Sequence, residues 1–364
     1  MTNTPLEPTG GLETMSTETN ENAIEMREVE GLSQSQIVRR RFFRHRGAIA
    51  GLVVLLLIIL VAYSSIGIFG VKGWWKWDPN TQADLVNAGG TPTLSLPSWL
   101  GGNGLAVGSH PFGQDELGQD TFARTMRGTQ TSLDVMFVIG IVAAVLGMTI
   151  GALAGYFRGW IDQVLMRLTD LVITFPIIVI GAVLGKAVRH SSPLLLAICL
   201  GAITWTTLAR LVRGEFLSLR EREFVDAAKV AGASSFRIMR KHMLPNSMGV
   251  IIVNTTLLMS TAVLLETSLS YLGFGVQSPN VSLGKMIDDY QTAFATRPWL
   301  FWWPGIFIIL IALSVNFIGD GLRDAFDPRQ KRVPSAREMD RALVRQQRAE
   351  ARGDSPEPTG SEPG

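Results

Sequence analysis

Long uncharged blocks, separated by short polar segments, dominate this chain. Six of the blocks come close to the ~20 residues that an α-helix needs to cross ~30 Å of hydrocarbon. They cover residues 47–70, 135–157, 168–185, 193–209, 247–265 (with an extension toward 272) and 299–319. Because only helices and closed barrels satisfy every backbone hydrogen bond in lipid, the pattern predicts an all-α membrane protein with six transmembrane helices.

Small residues and one proline predict how these helices pack. Gly151 and Gly155 form a small-xxx-small pattern, which lets a second helix approach closely. Pro176 predicts a kink in the third helix, because proline removes one backbone donor. The Gly, Ala, Ser and Thr content of the second, fourth and fifth blocks favours tight bundle packing, and it also suits a wall that lines a path for polar solutes.

One polar segment, residues 223–246 ("EFVDAAKVAGASSFRIMRKHMLPN"), interrupts the apolar pattern between the fourth and fifth blocks. Its first part predicts a short helix with one small, mostly apolar face. That face comprises Phe224, Ala227, Ala228, Val230 and Ala231. Gly232 predicts a left-handed helix stop, and Ser234 or Ser235 is expected to cap a second helix.

The second helix of this segment is expected at residues 236–243. Phe236, Met239 and Met243 would share one of its faces, and Pro245 is expected to break the chain before the fifth transmembrane helix. A compact helix-turn-helix of this kind suits a handle that a cytoplasmic partner grips in a groove. The alternative is an ordinary amphipathic helix that rests on lipid headgroups.

Composition supports the membrane class and excludes some chemistry. Of the 364 residues, 47% are hydrophobic and 18% are charged, and the mean hydropathy is +0.24. The single cysteine, Cys199, excludes an intramolecular disulfide and a cysteine zinc cluster, and a small buried hydrophobe is expected at that position. The four histidines are scattered along the chain, so no metal site is predicted.

Lysines and arginines predict the orientation in the membrane. They concentrate before the first helix, between the second and third, between the fourth and fifth, and after the sixth. Their members are Arg39, Arg40, Arg41, Arg44, Arg46, Arg158, Arg213, Arg220, Arg222, Lys229, Arg237, Arg240, Lys241, Arg323, Arg329, Lys331 and Arg332. The positive-inside rule then places all four regions and both termini in the cytoplasm of a multi-pass plasma-membrane protein.

The long loop at residues 71–134 is expected on the outer side. It is rich in glycine, proline and aromatic residues, and its acidic residues outnumber its basic ones. Tryptophans at this loop and at the start of the sixth helix predict an interfacial belt without a ligand role. They are Trp74, Trp75, Trp77, Trp299, Trp302 and Trp303.

The spacing of six residues in the polar segment is specific. They are Asp226, Ala227, Ala228, Gly232, Leu244 and Pro245. This spacing resembles the EAA loop of ABC-importer permeases, whose pattern is EAA, three residues, Gly, nine residues and Ile-x-Leu-Pro. Asp226 stands in place of the family's Glu and keeps the charge on a shorter side chain, and His242 stands in place of Ile.

Three further stretches are similar to the C-type permease of dipeptide and oligopeptide importers. They are "HPFGQDELGQDTFARTMRGTQTSL" at residues 110–133, "LLETSLSYLGFGVQSPNVSLGKMI" at 264–287 and "GDGLRDAFDPRQKR" at 319–332. The resemblance covers roughly residues 35–332. It is specific because several separate motifs occur in the correct order. Gln119 departs from it, since that family usually has Arg at this position.

The resemblance implies a type I ABC importer permease fold with a cytoplasmic coupling helix-turn-helix. The subunit would move dipeptides or oligopeptides across the plasma membrane by alternating access. Its implied partners are a second homologous permease subunit, two cytoplasmic ABC ATPase subunits and an extracytoplasmic substrate-binding protein, with no nucleic acid. The residues that it assigns to ATPase coupling are Glu223, Asp226, Ala227, Ala228, Gly232, Leu244 and Pro245.

Two alternatives stay open. Within the same family, a permease for nickel or another small solute fits the same residues. From another class, an ion-coupled secondary carrier would be expected to show inverted repeats and charges at the membrane midplane, and neither is clear in this sequence.

No enzyme activity and no cofactor are predicted for this chain. The stretch "GAVLGKAV" at residues 181–188 lacks the spacing and the Lys-Ser/Thr of a phosphate-binding loop, so ATP hydrolysis is expected from partner subunits. Asp170 and Glu266 lie at or within helices, where ionisable groups suggest function. Pairing within the bundle is favoured over a substrate or proton relay, with Asp170 near the cytoplasmic end and Glu266 nearer the outer end.

The chain is expected to divide into four parts. Residues 1–36 predict a disordered cytoplasmic tail, and residues 37–127 contain a basic segment, the first transmembrane helix and the long outer loop. Residues 128–322 form the permease core with five transmembrane helices. Residues 323–364 predict a largely disordered cytoplasmic tail, in which residues 341–352 are expected to form a basic helix on anionic membrane lipid.

Overall fold

The structure, a computed structural model, describes residues 34–68, 70–95, 104, 106–188 and 192–327. Most of the predicted N-terminal tail lies outside these residues. The C-terminal tail beyond residue 327, with its expected basic helix at residues 341–352, also lies outside them.

The described part of the chain is mainly helical. Its helices are α1 Gln34–Arg44, α2 Arg46–Ile66, α3 Thr121–Phe157, α4 Gly159–Thr174, α5 Ile177–Ala187, α6 Pro193–Thr204, α7 Thr206–Arg220, α8 Glu223–Val230, α9 Ser235–Arg237, α10 Leu244–Tyr271, α11 Leu283–Tyr290 and α12 Trp299–Phe326. A π-helical turn, Ile238–Met243, joins α9 to α10, and two short antiparallel strands, β1 Gly67–Ile68 and β2 Val71–Lys72, follow α2.

Length and composition allow six membrane crossings in the described residues. Four continuous helices qualify alone: α2, α3, α12 and the unbroken helix Ser235–Tyr271 that contains α10. Two bent pairs qualify together, α4 with α5 at 84° and α6 with α7 at 44°. With each pair taken as one crossing, the all-α membrane fold with six transmembrane helices is confirmed.

The helix bounds differ from the sequence prediction where polar residues begin or continue a helix. Helix α3 starts at Thr121, well before the predicted residue 135, because the side chain of Asp120 caps it by accepting a hydrogen bond from the N–H of Ala123. Helix α7 continues to Arg220 and α12 continues to Phe326, both beyond their apolar blocks. Hydropathy marks the apolar stretch of a span, whereas caps and packing determine where the helix ends.

The predicted kink at Pro176 is confirmed and is large. Helix α4 ends at Thr174, and Pro176 is the residue that precedes α5. Proline has no N–H to donate and its ring disfavours a helical conformation at the residue before it, Phe175, which is extended.

Helix α3 is the centre of the bundle. It packs against α2, α6, α7, α10, α11 and α12. The close approach predicted from Gly151 and Gly155 is confirmed. A Cβ atom on Gly151 would lie 2.4 Å from the backbone oxygen of Ala209, and one on Gly155 would lie 2.6 Å from the Cβ of Phe216. These two glycines therefore let α7 lie directly on α3.

The loop between α2 and α3 folds into a packed layer, which we call the cap (residues 70–95 and 106–120). At its centre the buried Asp120 accepts hydrogen bonds from the Nε1 of Trp75 at 2.7 Å and from the N–H of Ala123 at 2.8 Å. Its other oxygen lies 2.7 Å from Nδ1 of the buried His110. The motif "HPFGQDELGQD" is thus a structural element that anchors the cap on α3.

The tryptophan belt expected from the sequence is only partly right. Trp74 and Trp302 are exposed, at 63% and 56%. In contrast, Trp77 stacks on the His110 ring, and Trp303 stacks on Phe112 with ring centroids 3.7 Å apart. Trp77 packs within the cap and Trp303 of α12 packs against it. Composition alone could not distinguish these two tryptophans from the exposed Trp74 and Trp302.

The cap also contacts helix α11. Asp115 accepts the phenolic hydrogen of Tyr290, the last residue of α11, at 3.0 Å. The other oxygen of Asp115 accepts the N–H groups of Leu117 and Gln119. The Gln119 side chain in turn accepts a hydrogen bond from Arg124. Gln119, the departure from the family pattern, is therefore a neutral side chain that pairs with the nearby Arg124.

Candidate functional site

The hairpin segment (residues 223–246) is held on the bundle by one residue of α8 that the sequence pattern missed. Val225 is fully buried, at 0% exposure. It belongs to a cluster with Phe216 at the end of α7 and Ile238 of the π-helical turn. Ala228 and Ala233 pack against the edge of this cluster. Val225 follows a larger apolar residue, Phe224, which is 39% exposed, so the sequence did not indicate which of the two is buried.

The turn of the hairpin segment has the geometry predicted for it. Gly232 adopts a left-handed conformation with φ of 78°. Its N–H donates to the carbonyl of Lys229, and the N–H of Ala233 donates to the carbonyl of Ala228 at 3.0 Å. This pair of bonds closes α8 in the manner of a Schellman motif. Ser234 stands at the N-cap position of α9 as expected, but its side chain makes no capping hydrogen bond.

The exposed surface of the segment differs from the predicted apolar faces. Phe224, Val230 and Phe236 point outward, with exposures of 39%, 90% and 68%. Phe236 therefore does not share a buried face with Met239 and Met243, which lie in the cluster around Val225. The helix phase is set by the buried Val225 and Ile238.

The residues with the EAA-like spacing are brought together around this turn. Glu223, Asp226, Ala227 and Gly232 are exposed, and Ala228 is half-buried. Asp226 forms an ion pair with Lys229 at 2.8 Å. Leu244 is half-buried against the Val225 cluster, and Pro245 is exposed. An exposed carboxylate-bearing helix with small side chains is thus presented beside three outward-pointing apolar residues.

The predicted chain break at Pro245 is wrong. The helix runs unbroken from Ser235 to Tyr271. The reason is the π-helical turn, in which the N–H of Leu244 donates to the carbonyl of Met239, five residues earlier. Pro245 lies in the first turn of α10, where its missing N–H is tolerated. The second half of the hairpin segment, from Ser235 onward, and the fifth transmembrane helix therefore form one continuous helix.

A basic concavity adjoins the segment. It has a volume of about 580 Å³ and is lined by Ser234, Phe236, Arg237, Arg240, Lys241 and Pro245. Within residues 192–327, none of the cations Arg237, Arg240 and Lys241 forms an ion pair. These unpaired cations suit an acidic surface of a partner.

Two ion pairs fasten the broken third span to the fourth. Arg213 of α7 holds Asp162 of α4 through two hydrogen bonds, of 2.5 Å and 2.7 Å. Asp170 pairs with Arg210 at 2.6 Å, and both side chains are 49% exposed. Asp170 is therefore engaged by a neighbouring helix within the bundle, as the favoured interpretation of this residue expected.

Glu266 lies at the end of α10 that is remote from the hairpin segment. It is fully buried at 0% exposure and accepts hydrogen bonds from Ser270 at 2.7 Å and from Ser132 of α3 at 3.1 Å. Its partners are hydroxyl groups, which the sequence could not identify because Ser132 lies 134 positions away.

A groove of about 590 Å³ opens between α5, α7 and α10. Its floor is mostly apolar, but polar side chains of α10 recur every seven residues along it, at Asn254, Thr261 and Ser268. Thr204 and Thr207 line the groove across from them. This mixed wall fits the alternative that the small and polar residues of the spans line a path for polar solutes.

Residues 181–188, which superficially suggest a phosphate loop, are mostly helical. They form the second half of α5, which ends at Ala187. No exposed loop of backbone N–H groups is present there to cradle a phosphate.

Comparison with known families assigns most of the described chain. Residues 147–332 match the family described as binding-protein-dependent transport system inner membrane component. Residues 33–89 match a second family, described as the N-terminal transmembrane domain of oligopeptide transport permease C.

Relatives match over almost their whole length. The oligopeptide transport system permease protein OppC of Mycobacterium bovis is 37% identical over 300 residues, which is 82% of this chain and 96% of the relative. The protein of the same name from Haemophilus influenzae is 35% identical over 312 residues, 85% of this chain and 93% of the relative. A putative peptide permease protein of Brucella ovis is 37% identical over 297 residues, 79% of this chain and 89% of the relative.

A search of solved structures finds an inward-facing conformation of the MetNI methionine ABC transporter. The matched chain is 20% identical, with a TM-score of 0.46, and the match covers 56% of this chain and 97% of that one.

Proposed function

The chain belongs to the family of binding-protein-dependent transport system inner membrane components, and from this premise we propose that it is the transmembrane permease subunit of an ATP-driven peptide importer. The subunit would move dipeptides or oligopeptides across the plasma membrane by alternating access. ATP hydrolysis would be carried out by separate subunits, because this chain is a transport component of the family.

One observation carries the proposal. The relatives named as oligopeptide permeases are 35–37% identical over most of this chain. The hairpin segment adds a mechanical argument, because its exposed surface around Asp226 and Ala227 is built on a helix that Val225 anchors to the bundle. A force on this surface would reach the fifth transmembrane helix through the Val225 cluster, because Ile238 and Met243 of the continuous helix Ser235–Tyr271 belong to that cluster.

The proposed partners follow from the surfaces that the chain presents. Two cytoplasmic ABC ATPase subunits would be engaged, one of them by the hairpin segment, with the cations Arg237, Arg240 and Lys241 beside the contact. A second homologous permease would complete the path of which the groove with Asn254, Thr261 and Ser268 forms one wall. An extracytoplasmic substrate-binding protein would deliver the peptide at the cap.

The proposed orientation places both termini and the hairpin segment in the cytoplasm. Its support is the distribution of Lys and Arg, which concentrate at the hairpin segment, in the segment before α2 and after α12. The cap, in which acidic residues outnumber basic ones, then lies on the extracytoplasmic side.

The first experiment is purification of the chain from its own membranes in mild detergent, with mass spectrometry of the proteins that co-purify in stoichiometric amount. A second permease and ABC ATPases are the expected result. The complex would then be reconstituted in liposomes with its binding protein, and uptake of labelled di-, tri- and pentapeptides would be measured with ATP enclosed.

Two results would contradict the proposal. Recovery of the chain alone, with uptake that follows an ion gradient and ignores ATP, would favour an ion-coupled secondary carrier. ATP-dependent uptake of Ni²⁺ or another small solute, with no uptake of peptides, would keep the importer mechanism and replace the cargo.

A further inference from the structure

A buried polar network surrounds Glu266 at the outer end of α10. The carboxylate has no cation within the described contacts, and it is held by the hydroxyl groups of Ser132 and Ser270. A carboxylate removed from water costs free energy unless its lone pairs are satisfied, so a buried Glu at this position calls for an explanation beyond packing.

The two serines have a defined hydrogen-bond direction. Ser132 Oγ accepts the N–H of Leu283 at 3.2 Å, and Ser270 Oγ accepts the N–H of Val276 at 3.1 Å. Each hydroxyl donates its single hydrogen to Glu266, while its oxygen accepts the backbone N–H with one of its two lone pairs. Glu266 is therefore linked through Ser270 to the loop after α10, and through Ser132 to Leu283, the first residue of α11.

The backbone of α11 also lies unusually close to α10. A Cβ atom on Gly284 would lie only 2.6 Å from the Cα of Thr267, so the glycine permits the two helices to touch. Ser282 caps α11 by accepting the N–H of Lys285 at 3.1 Å. The start of α11 is thus docked against α3 and α10 around a single carboxylate.

The other end of α11 is tied to the cap. Tyr290 donates to Asp115 at 3.0 Å, and Asp289 lies 3.8 Å from Arg124 in the first turns of α3. Helix α11 therefore contacts α10 at its start and the cap at its end, so it connects the two.

The second half of the hairpin segment and Glu266 lie on the same unbroken helix, Ser235–Tyr271, and α8 is joined to this helix through the Val225 cluster. An α-helix of this length, 37 residues, is ~55 Å long at a rise of 1.5 Å per residue, which exceeds the hydrocarbon thickness. A displacement at one end of such a rod is felt at the other, provided that the outer end is joined to something.

We propose that Glu266 is a positioning residue that joins α10 to α11, so that movement of the hairpin segment reaches the cap on the extracytoplasmic side. This inference rests on the proposed function, because it assumes that an ATPase moves the hairpin segment. It goes beyond that function by assigning the connection between the outer end of α10 and α11 to the buried carboxylate of Glu266 and two serines. The cap is where a substrate-binding protein would sense the movement.

Hydrogen–deuterium exchange with mass spectrometry on the complete reconstituted complex tests the joint at both ends at once. Exchange would be compared in the hairpin segment and in α11, with and without ATP and vanadate. In the wild-type complex, nucleotide is expected to change exchange in both regions. In Glu266→Ala, the change in the hairpin segment is expected to persist, whereas the change in α11 is lost.

Transport gives an independent measure of the same coupling. The amount of peptide imported per ATP hydrolysed is expected to fall about tenfold in Glu266→Ala, within the range typical of coupling between distant sites. Ser132→Ala, which removes one of the two hydroxyl relays and leaves the carboxylate in place, is expected to lower the ratio in the same direction and supplies the test if Glu266→Ala does not assemble.

Thr255→Val is the matched control. Thr255 lies eleven positions before Glu266 on the same helix, and its buried hydroxyl has no hydrogen-bond partner in the described structure. The variant keeps the shape and is expected to behave as wild type in both measurements.

The outcomes separate the two proposals. Suppose that nucleotide changes hydrogen–deuterium exchange in α11 of Glu266→Ala as it does in the wild type, and that the amount of peptide imported per ATP is unchanged. The role of Glu266 is then refuted, while the proposed importer function stands. If nucleotide leaves the hairpin segment unchanged in the wild-type complex, the proposed function fails and the joint fails with it.

Discussion

The guanidinium of Arg213 holds the carboxylate of Asp162 through two parallel hydrogen bonds, 2.5 Å and 2.7 Å long. Asp162 lies in the first turn of α4, and Arg213 lies in the middle of α7. This two-bond pair is one of two ion pairs that attach the third span, which is bent by 84°, to α7.

Asp162→Asn is expected to lower the free energy of unfolding by about 1–3 kcal/mol, since a charge-assisted pair with partly buried members is lost. Thermal unfolding of the detergent-solubilised protein measures this. Asp226→Asn is the matched control, because the Asp226–Lys229 pair lies in α8 outside the spans, with both side chains exposed, and solvent screens it. Equal losses in the two variants would contradict the assignment.

Gly232→Val is expected to abolish or strongly reduce ATP-dependent uptake while the transmembrane helices stay inserted. A side chain at φ of 78° costs about 1–2 kcal/mol, and the valine has open space around it, so the strain falls on the turn and not on the bundle. Uptake in liposomes and protease accessibility of the spans are the two measurements.

Gly214→Val provides the control for that substitution. Gly214 lies within α7, has no positive φ and has open space at its Cβ position, so a side chain fits without strain. This variant is expected to transport normally. Normal transport by Gly232→Val would remove the argument that the turn geometry matters for coupling.

Asp120→Ala is expected to unfold the cap locally. The carboxylate is 1% exposed and interacts with Trp75, His110 and the N–H of Ala123, so its loss leaves several buried polar groups without partners and costs about 3–5 kcal/mol. Limited proteolysis should cut within residues 70–95 or 106–120 in the variant and not in the wild type. An unchanged cleavage pattern would show that other contacts hold the cap.

The contact between α11 and the cap is expected to weaken at high pH. Burial, together with Asp115, raises the pKa of the Tyr290 hydroxyl above its ordinary value, although Arg124 opposes the shift. A group whose pKa is raised on folding adds stability that is fully present below the unfolded pKa of about 10 and is lost as the pH rises through the folded value.

Tyr290→Phe removes this titration and also the hydrogen bond to Asp115, so it is expected to cost about 1 kcal/mol near neutral pH. The loss of stability between pH 10 and 12 should be smaller in the variant than in the wild type, as measured by exchange in residues 283–290. A steeper loss in the variant would contradict the sign of the shift.

Several features of the fold were readable from single segments. The six apolar blocks, the kink at Pro176, the close packing at Gly151 and Gly155 and the left-handed turn at Gly232 all depend on local chemistry or on the length of one segment. Each of these predictions is confirmed. The spans follow from their own residues because a helix in lipid satisfies its own backbone groups, and the other features follow from the local properties of glycine and proline.

Features that depend on distant partners were not readable. The chain break expected at Pro245 was wrong because the helix passes through a π-helical turn before it, and the N–H that proline lacks is not needed in the first turn of α10. Ile238 and Met243 of the π-helical turn pack against the bundle, so the turn depends on distant partners. The predicted apolar faces of the hairpin segment were wrong in part because burial of Val225 sets the helix phase. The assignment of its exposed residues to ATPase coupling stays a prediction.

The sequence by itself determined the class of protein, the number of crossings and the place of the polar segment between the fourth and fifth. Only the tertiary structure decided that the second half of this segment is continuous with the fifth span. It also decided that Glu266 near the far end of that helix binds Ser132, which holds the start of α11, and Ser270, which holds the loop after α10. The physical reason is that hydropathy and turn chemistry act over a few residues, whereas a hydrogen bond between Ser132 and Glu266 exists only once α3 and α10 have packed.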